Sequence, residues 1–93
     1  MRKIEWTSQF KRDYKRESKG RHRNSLENDL SIILELLAND LPLEPHHYDH
    51  ELAGEWKDFR DCHVKPDLVL IYLKVDLDII RLSRLGSHSE LDL

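Results

Sequence analysis

A single cysteine, three glycines and three prolines in 93 residues each remove a class of protein. One thiol, Cys62, cannot form an internal disulfide, so a disulfide-stapled secreted module is excluded and a reducing cytoplasm is the expected compartment. So little glycine and proline leaves no place for a collagenous repeat or a low-complexity linker. One folded domain spanning 1–93 is expected, large enough for a real core but thin in stability margin. No apolar run approaches the roughly 20 residues of a membrane span. The opening MRKIEWTSQF lacks the apolar core of a secretory signal.

Charge is plentiful and unevenly placed. Residues 1–23 hold nine Lys or Arg against three acids, a net of +6, while the remaining six basic and fifteen acidic residues give −9. A basic first quarter on a mildly acidic protein is either an electrostatic footprint for a polyanion or a solvated helix surface.

Arg2 to Trp6 alternates polar and apolar residues and predicts a short strand. Thr7 or Ser8 can cap a helix running to about Arg21, anchored by Phe10 and Tyr14, before Gly20 breaks the pattern. Asn24-Ser25-Leu26-Glu27 has the form of a capping box. The helix after it, to about Asn39, repeats Leu26, Leu30, Ile33, Leu34 and Leu37 along one face. Residues 40–54, with Pro42, Pro45 and Gly54, read as a loop long enough to be functional. Strands are expected over 55–64, 68–75 and 79–85, separated by Lys65-Pro66-Asp67 and Asp76-Leu77-Asp78. The order β-α-α-β-β-β predicts an α+β domain. Its four-stranded sheet should be mostly antiparallel, with two helices packed on one face.

The most apolar segment, Leu68 to Leu73, is flanked by groups able to move protons: His50, His63 and Asp67 before it and His88 after Gly86. Each has an ordinary alternative. Lone histidines are mostly surface or partner-satisfied residues, as His46 and His47 are expected to be, and Asp67 suits a turn before a strand. His46-His47-x-Asp49-His50 matches no usual zinc or facial-triad spacing, so no metal and no cofactor are expected. Strand parity makes Arg84 share a side with Ile80 and Leu82 unless the strand ends or bulges before it; otherwise Arg81 is the outward residue.

Several motifs taken together resemble the YafQ branch of the RelE/ParE superfamily of type II toxins. They are Asp49-His50-Glu51-Leu52 with Gly54 and Trp56; Arg60-Asp61-x-His63-Val64-x-Pro66-Asp67; Leu70-Ile71-Tyr72; and Arg84-x-Gly86-x-His88. The resemblance spans essentially the whole chain. It implies a RelE-like fold and a toxin that enters the A site of the 70S ribosome and cleaves the bound mRNA without metal. It also implies a cognate DinJ-like antitoxin with a DNA-binding N-terminus, through which alone operator DNA would be reached. By resemblance the functional positions are His50, His63, Asp67, Arg84 and His88. Relatives can carry an aromatic after the aspartate and another near the C-terminus, where this chain has Leu68 and Leu91-Asp92-Leu93.

The chemistry is self-consistent. RNA supplies its own 2′-hydroxyl nucleophile, so an enzyme needs a base for that proton, an acid for the leaving 5′-oxygen and positive charge by the phosphate. Histidine, with an unperturbed pKa of about 6.5, suits the first two roles, and arginine the third. Base and acid are not assigned by sequence. Lys11, Arg12, Lys15 and Arg16 on the first helix, with Lys57, Arg60 and Arg81, are the expected RNA and ribosome contacts. Two other readings are a gyrase-inhibiting ParE-like toxin, which would not need paired proton carriers, and an inactive antitoxin-binding corepressor.

Overall fold

Thr7 closes the first strand and opens the first helix. Its hydroxyl accepts the Phe10 amide at 3.1 Å and donates to the Leu82 carbonyl at 2.9 Å, fixing the angle at which the helix leaves the sheet. In the computed structural model, which describes residues 1–93, the strand is β1 (Lys3–Trp6) and the helix α1 (Ser8–Glu17). α1 ends a turn before the expected Arg21, and residues 18–25 form turns leading into α2 (Leu26–Ala38). The expected capping box is not formed there: Ser25 is the N-cap of α2 and makes no side-chain capping bond. The reciprocal pattern occurs instead at Ser87 and Glu90, where each side chain accepts the other's amide, at 3.1 and 2.9 Å.

Five strands form the sheet, not four. The extra one is the two-residue β2 (His50–Glu51), inside the segment read as loop. β3 (Arg60–Lys65), β4 (Leu68–Lys74) and β5 (Ile79–Gly86) follow as an antiparallel meander, giving the order β1-β5-β4-β3-β2. β3 is shorter than expected, because Gly54–Trp56 is a 3₁₀ turn and Gly54 takes a positive φ of 65°. β1 runs parallel to β5, so the sheet is mixed. Tight turns dictate the antiparallel meander. The sense of β1 is set by the long helical crossover after it, which local sequence does not report.

α2 packs its leucine face on one side of the sheet. Phe10, Leu26, Leu30, Ile33 and Leu37 meet Cys62, Val64, Leu68, Leu70, Tyr72, Ile80, Leu82 and Leu85 in the main core. Val69 and Ile71 point the other way, where Leu91 of the tail and the half-buried Leu52, Trp56 and Phe59 cover them. The run Leu68 to Tyr72 is therefore buried on both faces, which explains its lack of alternation.

β5 resolves the parity question with a bulge. Tyr72 pairs with Leu82 but Ile71 with Arg84, leaving Ser83 as the extra residue. Ile80, Leu82 and Leu85 can then all face the core while Arg84 turns toward α1. β1 covers β5 only to Leu82, and beyond it Asp13 of α1 takes over the strand edge, accepting the Leu85 amide at 3.0 Å.

Candidate active site

Register assembles the site. Val69 pairs with His63 on one side and with Gly86 on the other, so the ends of β3, β4 and β5 lie abreast. Asp67, in the β3–β4 turn, consequently stands opposite His88 at the start of the tail. His88 Nδ1 lies 2.8 Å from Asp67 Oδ1, and the His88 amide donates to the same oxygen at 3.2 Å. The ring of His63 packs edge-on to that of His88 with centroids 5.1 Å apart, and Tyr48 flanks His63 at 5.3 Å. The first cause holding the Asp67 carboxyl below its ordinary range is the hydrogen bond from the His88 side chain. An ionised Asp67 can only accept, so His88 Nδ1 carries the proton and Nε2 is left to exchange one with a substrate.

His50 enters from β2. Its Nδ1 donates to the Tyr48 carbonyl at 2.7 Å and lies 3.1 Å from Asp61 Oδ1. A polar staple holds this segment: Asp49 accepts from the Tyr72 hydroxyl and from Nε and Nη2 of Arg60, at 3.3 Å each for the latter. Burial, reinforced by that carboxylate, raises the Tyr72 phenol well above its usual range, so it remains a donor.

Asp61 went unassigned in the sequence, although it shares a strand face with His63. It is buried, and its Oδ1 has no hydrogen-bond partner. Burial pushes its carboxyl up, while the charged forms of His50, His63 and His88 each pull it down. One buried acid is thus coupled to three imidazoles. Alternation of a polar pair at i and i+2 on an otherwise buried strand was the available signal. Arg21 was also missed; its exposed guanidinium comes within 3.7 Å of Asp67 Oδ2.

The remaining expected cations divide. Lys11, Arg12, Lys15 and Lys57 are exposed. Arg16 is tied to Asp13, Glu17 and Glu90 and donates to the Leu85 carbonyl at 2.8 Å. Arg81 pairs with Glu5, and Arg60 with Asp49 and Glu51. Arg84 is held by Asp13 at 2.8 Å. His46 is exposed as expected, whereas His47 is buried with its Nδ1 unpaired, a correction to its reading as a surface or partner-satisfied residue. No three His, Cys, Asp or Glu side chains come together as a metal-ligand set.

A family model described as "Bacterial toxin of type II toxin-antitoxin system, YafQ" matches residues 2–93. The chain belongs to the YafQ family. It is 42% identical over 91 residues to the mRNA interferase toxin YafQ of Escherichia coli K12, covering 97% of this chain and 95% of that protein. YafQ in the E. coli DinJ–YafQ complex superposes with a TM-score of 0.82 at 40% identity, covering 98% of both chains. A copper-bound mutant toxin from Helicobacter pylori gives 0.84 at 39% identity, covering 98% of this chain and 99% of that one. In this YafQ-family chain no helix is long and apolar enough to cross a membrane.

Asp61→Asn separates the cost of the buried carboxylate from its use. Because the folded carboxyl is raised, the native state holds its proton to higher pH than the unfolded chain does. Stability is then lost as pH rises through that window. The asparagine variant is expected to melt at a higher temperature at pH 7, with the gap closing in acid, while RNA cleavage falls. Thermal melts across pH check this, and a variant that melts lower at neutral pH contradicts it.

Proposed function

We propose that this protein is a ribosome-dependent mRNA endonuclease toxin. The observation that carries this reading is the Asp67–His88 pair with His63 packed against it, two imidazoles side by side at the end of one sheet. A base takes the 2′-hydroxyl proton, the oxygen attacks the adjacent phosphorus, and an acid protonates the departing 5′-oxygen. The products are a 2′,3′-cyclic phosphate and a free 5′-hydroxyl. His88, oriented by Asp67, is the acid in this scheme, and His63 with His50 serves the 2′-hydroxyl side. Arg21 is the unburied cation beside Asp67. Arg84, whose charge Asp13 balances, holds the end of β5 from which the tail carrying His88 leaves. None of these steps calls on a metal.

The exposed cations of α1 would bind ribosomal RNA, and the toxin would be silenced in the cytoplasm by a DinJ-like antitoxin that alone contacts operator DNA. The E. coli DinJ–YafQ complex supports that partner. The test is purified protein with translating 70S ribosomes, mapping new mRNA 5′ ends with and without chelator. Cleavage in the A site that survives chelation is expected. Because a similar toxin has been crystallised with copper, loss of cleavage on chelation that copper restores would overturn the metal-free mechanism. Gyrase-dependent DNA breaks, or antitoxin binding with no cleavage, would replace the whole reading.

Lys11, Arg12 and Lys15 reversed together to Glu should weaken ribosome association while leaving antitoxin binding and the fold intact. Arg16 is left out of that variant because it ties α1 to the tail. Unchanged ribosome binding would make α1 a solvated surface only.

A further inference from the structure

A concavity adjoins this centre, and of its lining only His63 takes part in the cleavage chemistry. β2 pairs only with Arg60 and Asp61, so the rest of β3 has a free edge, and a cleft of about 850 Å³ runs there beside α2. His63 and Tyr48 line this cleft as well as belonging to the histidine cluster. The 3₁₀ turn Pro45–His47 adds His46 and His47, their rings 4.1 Å apart.

His47 is 7% exposed, and its Nδ1 is sealed without a partner. Its Nε2 is neither sealed nor hydrogen-bonded within the protein. The sealed Nδ1 lies beyond a ligand's reach, so Nε2 is the atom that a ligand in the cleft can pair with. The lining narrows the class of ligand. Glu44 and Asp29 are acidic, and Asp29 engages the ammonium of Lys65, so no free lysine or arginine is available for a phosphate. Burial, then the charge of His46, lowers the His47 imidazole below its ordinary range, leaving it neutral at pH 7. Ile32 and Tyr48 are exposed apolar surface on the same cleft. A flat, uncharged ligand with hydrogen-bonding edges fits this lining, and a nucleobase is such a ligand.

We propose that the cleft is a nucleobase subsite, taking the base of a nucleotide next to the scissile phosphate, with Tyr48 and Ile32 against its face and the His47 ring hydrogen-bonded to its edge. This deepens the mRNA-cleavage reading and rests on it.

Two measurements test it. In the first, the full-length protein is titrated by NMR with nucleoside monophosphates, ribose 5-phosphate and inorganic phosphate. The nucleotides are expected to shift His47, Tyr48 and Ile32 signals, and the sugar phosphate and phosphate are not. Equal shifts from ribose 5-phosphate, or none from any nucleotide, overturn the proposal. In the second, His47→Leu and Tyr48→Ala are compared with the parent on mRNAs differing in one codon. Each variant is expected to change the ratio of kcat/KM between codons by about 10-fold. An equal loss at every codon means a structural role and overturns it. Should the parent protein cleave no mRNA, the ribonuclease reading fails on its own, and the NMR titration alone decides the subsite.

Discussion

His88→Ala is expected to lower mRNA cleavage by roughly 10²–10⁴-fold, the usual loss for an acid–base group, without unfolding the protein. The ring is only half-buried and touches Asp67 and His63, and the backbone bond from residue 88 to Asp67 survives the substitution. A second readout separates a lost proton carrier from a displaced tail. The His88 side chain is the first cause of the lowered Asp67 carboxyl, so in the variant that carboxyl should titrate closer to its ordinary value. NMR titration of Asp67 measures this directly. Asp67→Ala should slow cleavage as well. Because the two residues act as one unit, the double variant should cost little more than His88→Ala alone. Full additivity, or cleavage undiminished in His88→Ala, would remove the pair from the chemistry.

How much of this site could be read beforehand depended on how local its causes are. The face of α2 and the double-sided burial of β4 follow from side-chain periodicity, and both stand where the sequence puts them. His63, Asp67 and His88 were nameable from their motifs. Their proximity depends on the pairing of Val69 with His63 and with Gly86, which is a property of the sheet. Parity leaves three possibilities open, a strand end or a bulge before Arg84 or an outward Arg81, and only the register selects the bulge and identifies Ser83 as the extra residue. β2 was missed because two residues carry no alternation, and its placement depends on the Asp49 staple to Arg60 and Tyr72. The burial of Asp61 is not legible locally, because a carboxylate inside a strand is ordinarily solvent-facing, whereas here the sheet face that carries it is covered.

The tail shows the same dependence on tertiary contacts. Leu91 is buried over Ile71, and a Ser87–Glu90 capping arrangement turns the chain just where His88 is needed. Gly86 permits this. A Cβ there would stand 3.0 Å from the Arg16 guanidinium and 3.3 Å from Glu90 Oε1, so any larger residue would press on the contacts that fix the tail.

Asp13→Ala is expected to produce the largest loss of stability of any single charged-residue substitution in this chain, about 3 kcal/mol. The carboxylate is 4% exposed and has three partners: the Arg84 guanidinium, the Arg16 guanidinium and the Leu85 amide. Removing it leaves a strand-edge amide without an acceptor and a partly buried arginine without its counter-charge. Burial by itself would raise the Asp13 carboxyl. The Arg84 and Leu85 hydrogen bonds and the charges of Arg84 and Arg16 outweigh it and hold the group below its ordinary range. The sign of the pH dependence follows. Its contribution is complete above the unfolded value of about 3.9 and disappears as pH falls through the lowered folded value. Denaturant midpoints for parent and variant should therefore differ most near neutrality and converge in acid. Asp13→Asn keeps an acceptor for Leu85 and should lose roughly half as much. Activity should fall in step, because Asp13 and Arg16 together anchor the end of β5 from which Ser87, His88 and Glu90 turn back toward Asp67. A parent–variant stability gap that did not change with pH would show that Asp13 holds the strand edge by shape and not by charge.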